Sequence, residues 1–223
     1  MHLNVEFTSF QTRLQRARYI ASRYAERLEG AVLDVGCDSG VLKTLLPAAD
    51  YIGIDAAGSP DLLINLEKIK ELPFETDSFD CVVCTDVLEH LDNFHAVFDE
   101  LLRVSRRSVI LSLPNCWSSA RQPIQRGRGH FLHYGLPIEP PQDRHKWFFN
   151  ITDAIDFLEG QKDRVGFTIR ELHVTEKPRA WYRSIWRRLI YMNQRNYLNR
   201  YAHTLWAVLE KTPSAAGQLR RVA

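Results

Sequence analysis

The chain has 223 residues, 45% of them hydrophobic and 25% charged, enough apolar content for one sizeable core and far from a disordered, collagenous or coiled-coil composition. Lysine plus arginine (29) nearly cancel aspartate plus glutamate (27), leaving +2, so any basic partner site must be local. The first residues carry no apolar run of signal-peptide type, and no window approaches the roughly 18 uninterrupted apolar residues of a spanning helix; this predicts a cytoplasmic protein.

Phe10, Leu14, Ala17, Ala21, Ala25 and Leu28 recur at helical spacing, predicting an amphipathic helix over 8–29 that stops at Gly30. AVLDV (31–35) reads as a strand, VLKTLL (41–46) as a short helix, YIGID (51–55) as a second strand and DLLIN (61–65) as a third. FDCVVCT (79–85) is a fourth strand. Its Cys81 and Cys84 spell C-x-x-C, but residues three apart in a strand point to opposite faces, and four cysteines are too few for a disulfide framework. Helix FHAVFDELLRV (94–104) and strand RSVILSLP (107–114) follow. Such alternation argues for a parallel sheet covered by helices on both faces, because parallel strands need crossover connections.

After Pro114 the pattern breaks for about thirty residues, a length more typical of a lid or binding loop than of a connector. Periodicity resumes with ITDAIDFLEG (151–160), where Thr152 is a candidate cap, then a strand at 165–176 and a last strand at 201–211. The expected organisation is one domain over 1–213, with a lid at 115–150, a basic aromatic helix inserted at 179–200, and a flexible tail at 214–223.

In VLDVGCDSGVL the first strand ends at Asp34, and Gly36 and Gly40 bracket a tight turn into a helix. Glycines there let a ligand approach the backbone, and ligands of open α/β sheets bind outside the carboxyl ends of the strands. Asp55 ends the second strand, where an acid can accept hydrogen bonds from both hydroxyls of a ribose. Neither a P-loop nor G-x-G-x-x-G is present.

With VLDVGCDSG (32–40), YIGID (51–55), the run LPFETDSFD followed by DVLEHL within 64–93, and ELLRVSRRSVILSLPN (100–115), the chain resembles the class I S-adenosylmethionine-dependent methyltransferases, in their small-molecule and glycan-modifying branch. The resemblance spans about eighty residues. It implies a Rossmann-like, doubly wound α/β fold of seven strands in the order 3-2-1-4-5-7-6, the last strand antiparallel. It implies S-adenosylmethionine as cofactor, its methionine part near Asp34, Gly36, Cys37, Asp38 and Gly40 and its ribose on Asp55. Asn65 and Leu66 match the adenine-contacting place, and Thr85 and Asp86 the methyl side, Asp86 closest to the reaction. Asp38 stands where the family commonly has glycine, which keeps a non-catalytic scaffold among the readings. Asp77 and Asp80 read as turn chemistry before a strand.

A sulfonium methyl is already activated, so a base is needed only for a poor nucleophile such as a sugar hydroxyl, and histidine is suited to that task. His90, His130, His133 and His145 fall at the expected mouth, with His133 and His145 the leading candidates for catalysis. The 115–150 segment mixes Arg121, Arg126, Arg128, Arg144 and Lys146 with Phe131, Tyr134, Trp147 and Phe148. That mixture suits a phosphate- or carboxylate-bearing acceptor with stackable faces, touched by His90, Arg144 and Trp147; a solvated loop folded on its own aromatics is the alternative. No metal-ligand spacing recurs on one predicted helix, so no metal is expected.

Segment 179–200 holds six arginines and no acid, which leaves the remainder of the chain at −4. As a helix it gathers Trp181, Tyr182, Ile185, Trp186, Leu189, Ile190 and Met192 on one face, with Arg183, Arg187 and Arg195 elsewhere. This is the composition of an interfacial anchor on an anionic membrane surface. A face packed on the protein's own sheet or in a homodimer is the competing reading, and nucleic acid is disfavoured because the rest of the surface is acidic on balance. The expected reaction is O-methylation of a sugar or lipid-linked polysaccharide precursor, with a quinone or other lipidic aromatic acceptor as the alternative, in the cytoplasm or at the inner face of the membrane.

Overall fold

A computed structural model describes residues 3–131, 133–139, 141 and 144–212. The expected flexible tail at 214–223 lies outside the described residues.

Strands β1 (Asn4–Phe7), β2 (Ala31–Val35), β3 (Asp50–Asp55), β4 (Leu62–Leu63), β5 (Phe79–Thr85), β6 (Ser105–Pro114), β7 (Phe167–Glu176) and β8 (Thr204–Lys211) form one sheet among the described residues. Its order is β1-β7-β8-β6-β5-β2-β3-β4. Counted from β2, that is the expected 3-2-1-4-5-7-6, with β8 antiparallel to both β6 and β7. The eighth strand is an addition. β1 runs parallel to β7 at the edge, Asn4 opposite His173 and Phe7 opposite Glu176; four residues at an edge are too short for a period-2 signal to stand out.

The central strands are apolar on both faces because helices cover both. On one side α1 (Arg13–Arg23) packs Ala17, Ile20 and, beyond its end, Tyr24 and Leu28 against Val32, Cys81, Val83, Ile110 and Trp206. On the other side α3 (Phe94–Val104) and α5 (Ile151–Val165) cover Leu33, Val82, Cys84, Leu111 and Leu205. Each strand thus divides its odd and even residues between two layers, and Cys81 and Cys84 fall into different ones. All four cysteines are free and buried. α3 alone buries six apolar residues, each worth about 1.5–3 kcal/mol relative to exposure.

The structure corrects several expected boundaries. The leading helix covers only 13–23, capped by the Thr12 side chain accepting from the Gln15 N–H, with Ala25–Arg27 a separate helical turn. The third strand contracts to two residues. α5 is capped by Asn150 in a reciprocal box with Asp153, while the Thr152 N–H and hydroxyl both turn to Asn199 Oδ1. Helix α2 (Val41–Leu45) follows the glycine turn, and α4 (Cys116–Arg126) occupies the start of the expected lid, ending at Gly127 in a left-handed conformation. The single helix expected over 179–200 is two, α6 (Trp181–Ile190) and α7 (Gln194–Tyr201), because the Asn193 side chain accepts from the Asn196 N–H and starts a new helix.

α7 is held by a side chain far away in sequence. Asn115 Nδ2 lies within 2.7–3.2 Å of the carbonyls of Leu198, Asn199 and Ala202, satisfying the end of α7 and tying it to the start of α4. Asp77 and Asp80 are structural, as read. Asp77 receives the Lys211 ammonium at 2.5 Å, and Asp80 accepts from the Ala31 N–H and pairs with Arg106.

Candidate active site

The carboxyl ends of β2, β3 and β5 open into a cleft of about 980 Å³. After Val35 the chain turns at Gly36 (φ +80°), whose N–H donates to the Ile54 carbonyl at 2.8 Å. A Cβ on Gly36 would stand 2.3 Å from Val87 Cγ2, so only glycine fits. Asp38 adopts φ +49°, the left-handed conformation that aspartate tolerates better than most residues. The glycine-like turn is thus kept with aspartate at this position.

Asp55 Oδ2 accepts from the Asp38 N–H at 2.8 Å and Oδ1 from the Ala57 N–H at 3.1 Å, so two loops meet on one carboxylate. Asp34 is buried and receives the Tyr51 hydroxyl at 2.5 Å. Burial raises its pKa to about 6 against that hydrogen bond, with the nearby Asp55 charge adding to the rise. Cys37 beside it has its thiol pushed up to about 12 by burial and by the charges of Asp34, Asp55 and Asp61; it is an inert wall, not a nucleophile. Asp38 pays for some burial, but hydrogen bonds from Ser39 and the Arg13 guanidinium lower its pKa overall.

Asp34, Gly36, Cys37, Asp38, Asp55, Asn65, Leu66, Thr85 and Asp86 all line this cleft. Gly40 lies behind the wall as the N-cap of α2. Two cationic residues on α1 were not foreseen. Arg13 pairs with Asp38, and Arg16 lies 2.6 Å from Asp86 Oδ2. Basic residues on the polar face of a helix carry no sequence signal of where that face lands. Asp86 (φ +53°) also receives the Ser112 hydroxyl on Oδ1 at 2.6 Å, so both its oxygens are engaged as acceptors.

The other wall is built by the helical turn Leu88–His90 and the loop after α4. His133 and His145 are stacked, ring centroids 4.2 Å apart, and His90 meets the His145 ring edge-on at 4.5 Å. The loop is pinned in place. The Lys146 N–H donates to the Glu89 carbonyl at 2.8 Å, its ammonium reaches Glu67 and Asp92, and Tyr134 Oη sits 2.8 Å from His145 Nδ1. Glu89 itself, adjoining the three imidazoles, is completely buried. Only the return of the loop brings it together with His145. His203 and the α4 serines Ser118 and Ser119 complete the rim, His203 held neutral by burial with its pKa lowered to about 4.

Two expected acceptor contacts fall elsewhere. Trp147 lines a separate cavity of about 160 Å³ with Phe94, His95 and Phe157, its indole N–H donating to the Leu91 carbonyl at 2.7 Å. Arg144 is exposed and is not among the described residues that line the cleft.

α6 has the opposite orientation from a core helix. Trp181 is 75% exposed, Trp186 65% and, just beyond the helix, Met192 89%. Two of its arginines turn toward the body of the protein. Arg187 lies 4.1 Å over the Tyr201 ring and 3.7 Å from the buried Glu176, and Arg188 sits over Tyr197. Among the described residues no helix is long and apolar enough to cross a membrane.

A sheet of this order, a glycine turn after its first central strand and an acid after the next define a Rossmann-like cofactor-binding enzyme. A family profile described as a methyltransferase domain matches residues 10–172. The chain belongs to this family: it is a class I methyltransferase dependent on S-adenosylmethionine. Among solved structures it is similar to a magnesium protoporphyrin IX methyltransferase from Synechocystis, at 16% identity over 90% of this chain and 83% of that one, TM-score 0.54. It is similar to the methyltransferase domain of a bacterial Hen1, at 16% identity over 89% and 97%, TM-score 0.57. A Bacillus halodurans methyltransferase matches at 15% identity over 89% and 98%, TM-score 0.52. At such identities the likeness concerns the fold. No curated protein sequence matches the chain.

Proposed function

We propose that the chain methylates a hydroxyl oxygen of a sugar or lipid-linked polysaccharide precursor. The observation that carries this reading is the trio of imidazoles, His90, His133 and His145, on the cleft wall opposite the glycine turn. A sugar hydroxyl is a poor nucleophile, and a neutral imidazole within reach accepts its proton as the oxygen attacks.

The cleft suits the cofactor. Its volume, the carboxylate at the end of β3 and the side-chain-free turn at Gly36 fit a nucleoside carrying an amino-acid chain. When bound, S-adenosylmethionine supplies a methyl group on a positively charged sulfur. Asp55 accepts from the ribose hydroxyls, Asn65 and Leu66 border the adenine, and the turn from Asp34 through Gly36, Cys37 and Asp38 to Gly40 borders the amino-acid part. Thr85 and Asp86 flank the methyl side. Asp86, engaged by Arg16 and Ser112, orients rather than takes a proton. His133 is the acceptor's base, with His145 stacked behind it, and His90 borders the acceptor. Trp147 supports the wall through Leu91. Segment 115–150 serves as the lid that excludes water.

The apolar face of α6 supports a lipid-borne acceptor. An amphipathic helix with tryptophans outward, in an arginine-rich segment, matches an anionic bilayer surface better than bulk water. The same face would suit a quinone or other lipidic aromatic acceptor, and a homodimer contact is the remaining way to cover it.

The test incubates the protein with methyl-labelled S-adenosylmethionine and either a glycolipid fraction or a quinone fraction from bacterial membranes. Label in an alkali-stable ether of the glycolipid, lost in His133→Ala, supports the reading; label only in the quinone fraction replaces it with the alternative. Flotation with anionic vesicles, with and without Trp181→Ala/Trp186→Ala, tests the surface, and no flotation of the unmodified protein removes the membrane from the proposal.

A further inference from the structure

We propose that Glu89, His90 and His145 form a divalent-cation site in the wall of the cleft. One ligand atom from each lies within 4.8 Å of the others, and Glu89 Oε1 stands 3.8 Å from His90 Nε2. Bonds of about 2.0–2.2 Å from an ion set its ligands about 3–4.2 Å apart, so the group needs only a small contraction. Glu89 and His90 are neighbours on the turn after β5, and His145 comes from the returning loop 55 positions after His90.

The surroundings fit coordination. The Tyr134 hydroxyl lies 2.7 Å from Cys116 Sγ, 2.8 Å from His145 Nδ1 and 2.9 Å from Trp147 O. Tyr134 Oη engages His145 at Nδ1 and fixes the orientation of the ring. Metal-binding histidines are oriented in this way by a hydrogen bond on the other nitrogen. Glu89 is held by its buried position, and the Lys146 N–H on its carbonyl locks the loop to the turn.

Two imidazoles and one carboxylate with open positions suit a first-row divalent ion such as Mn²⁺, Fe²⁺, Co²⁺ or Zn²⁺. Glu89, His90 and His145 all line the cleft that His133 also lines. An ion there takes an acceptor with two neighbouring oxygens, a vicinal diol or a hydroxyl beside a phosphate, and makes the bound hydroxyl more acidic. This last step rests on the acceptor reading above; the site itself does not.

Chelator-stripped protein is titrated with Co²⁺, followed by its visible absorption and by calorimetry, while S-adenosylhomocysteine is titrated separately to report cofactor binding. One equivalent of Co²⁺ is expected, with affinity at least tenfold weaker in His145→Asn and in Glu89→Gln and S-adenosylhomocysteine affinity within twofold of the parent. His145 is half-buried on a loop, so its variant keeps the core intact; His90→Asn replaces Glu89→Gln if the latter does not fold. No saturable Co²⁺ binding by the unmodified protein, or unchanged affinity in His145→Asn, overturns the site. Failure of S-adenosylhomocysteine to bind the unmodified protein would instead count against the cofactor assignment.

Discussion

The two halves of the sheet earn their stability and chemistry differently. From β2 to β6 strands and helices alternate much as their apolar spacing dictates, and Asp34, Gly36, Asp38 and Asp55 of the cofactor turn all fall within 34–55. From α4 onward the structure depends on distant partners: Asn115 on the end of α7, Asn199 on the start of α5, Lys146 on the turn at Glu89. The difference teaches that the cofactor side of the cleft is a local motif, whereas the acceptor side is an assembly that exists only when the chain has closed on itself.

The sharpest way to break the assembled half is at Glu176, buried between β7 and the two late helices. It pairs with Arg179 and receives the Tyr197 hydroxyl at 2.9 Å. Arg179→Met should destabilise the protein by about 3 kcal/mol, because a buried carboxylate loses its closest cation; chemical denaturation measures it, and a loss under 1 kcal/mol would mean that Arg187 takes over. On the local half, Asp55→Ala should weaken S-adenosylhomocysteine binding by about 1.5–3 kcal/mol, the range for hydrogen bonds to a charged group. Calorimetry reads it, and an unchanged affinity would displace the ribose from β3.

A smaller effect separates the halves by pH. Asp34 titrates near 6 in the folded protein, above its unfolded value of 3.8. The native state therefore holds the extra proton between these values, and this contribution to stability is present below about pH 4 and lost as pH rises through 6. Asp34→Asn should flatten that part of the stability profile. The smallest effect is expected for Asp38→Gly. Asp38 already adopts the required conformation and is tied by Arg13 and Ser39, so S-adenosylhomocysteine affinity should change less than about fivefold, or about 1 kcal/mol. A gain from no detectable binding would restore the scaffold reading.

Legibility followed the range of the interactions. The strands at 31–35 and 79–85 and the helix at 94–104 were bounded to the residue from apolar spacing alone. DLLIN was read too long because an apolar run does not reveal how few of its residues find a partner; here only Ile54 and Asp55 supply one. The 179–200 segment was read as one helix because its apolar spacing runs through Met192, while the capping by Asn193 that divides it was overlooked. The inward turn of Arg187 had no local cue at all, since its partners Glu176 and Tyr201 belong to other elements.

The sequence by itself determined the spans of the parallel core strands, the glycine turn and the strand-end acids, because apolar runs and turn residues are properties of a few adjacent residues, while the strand order followed from the family resemblance. Tertiary structure alone decided that Arg13 and Arg16 reach the cleft and that His145 joins Glu89 and His90. It also decided that the apolar side of α6 faces outward. Those outcomes depend on which surfaces meet after the sheet has formed, and contacts between residues tens of positions apart leave no periodic trace in the chain.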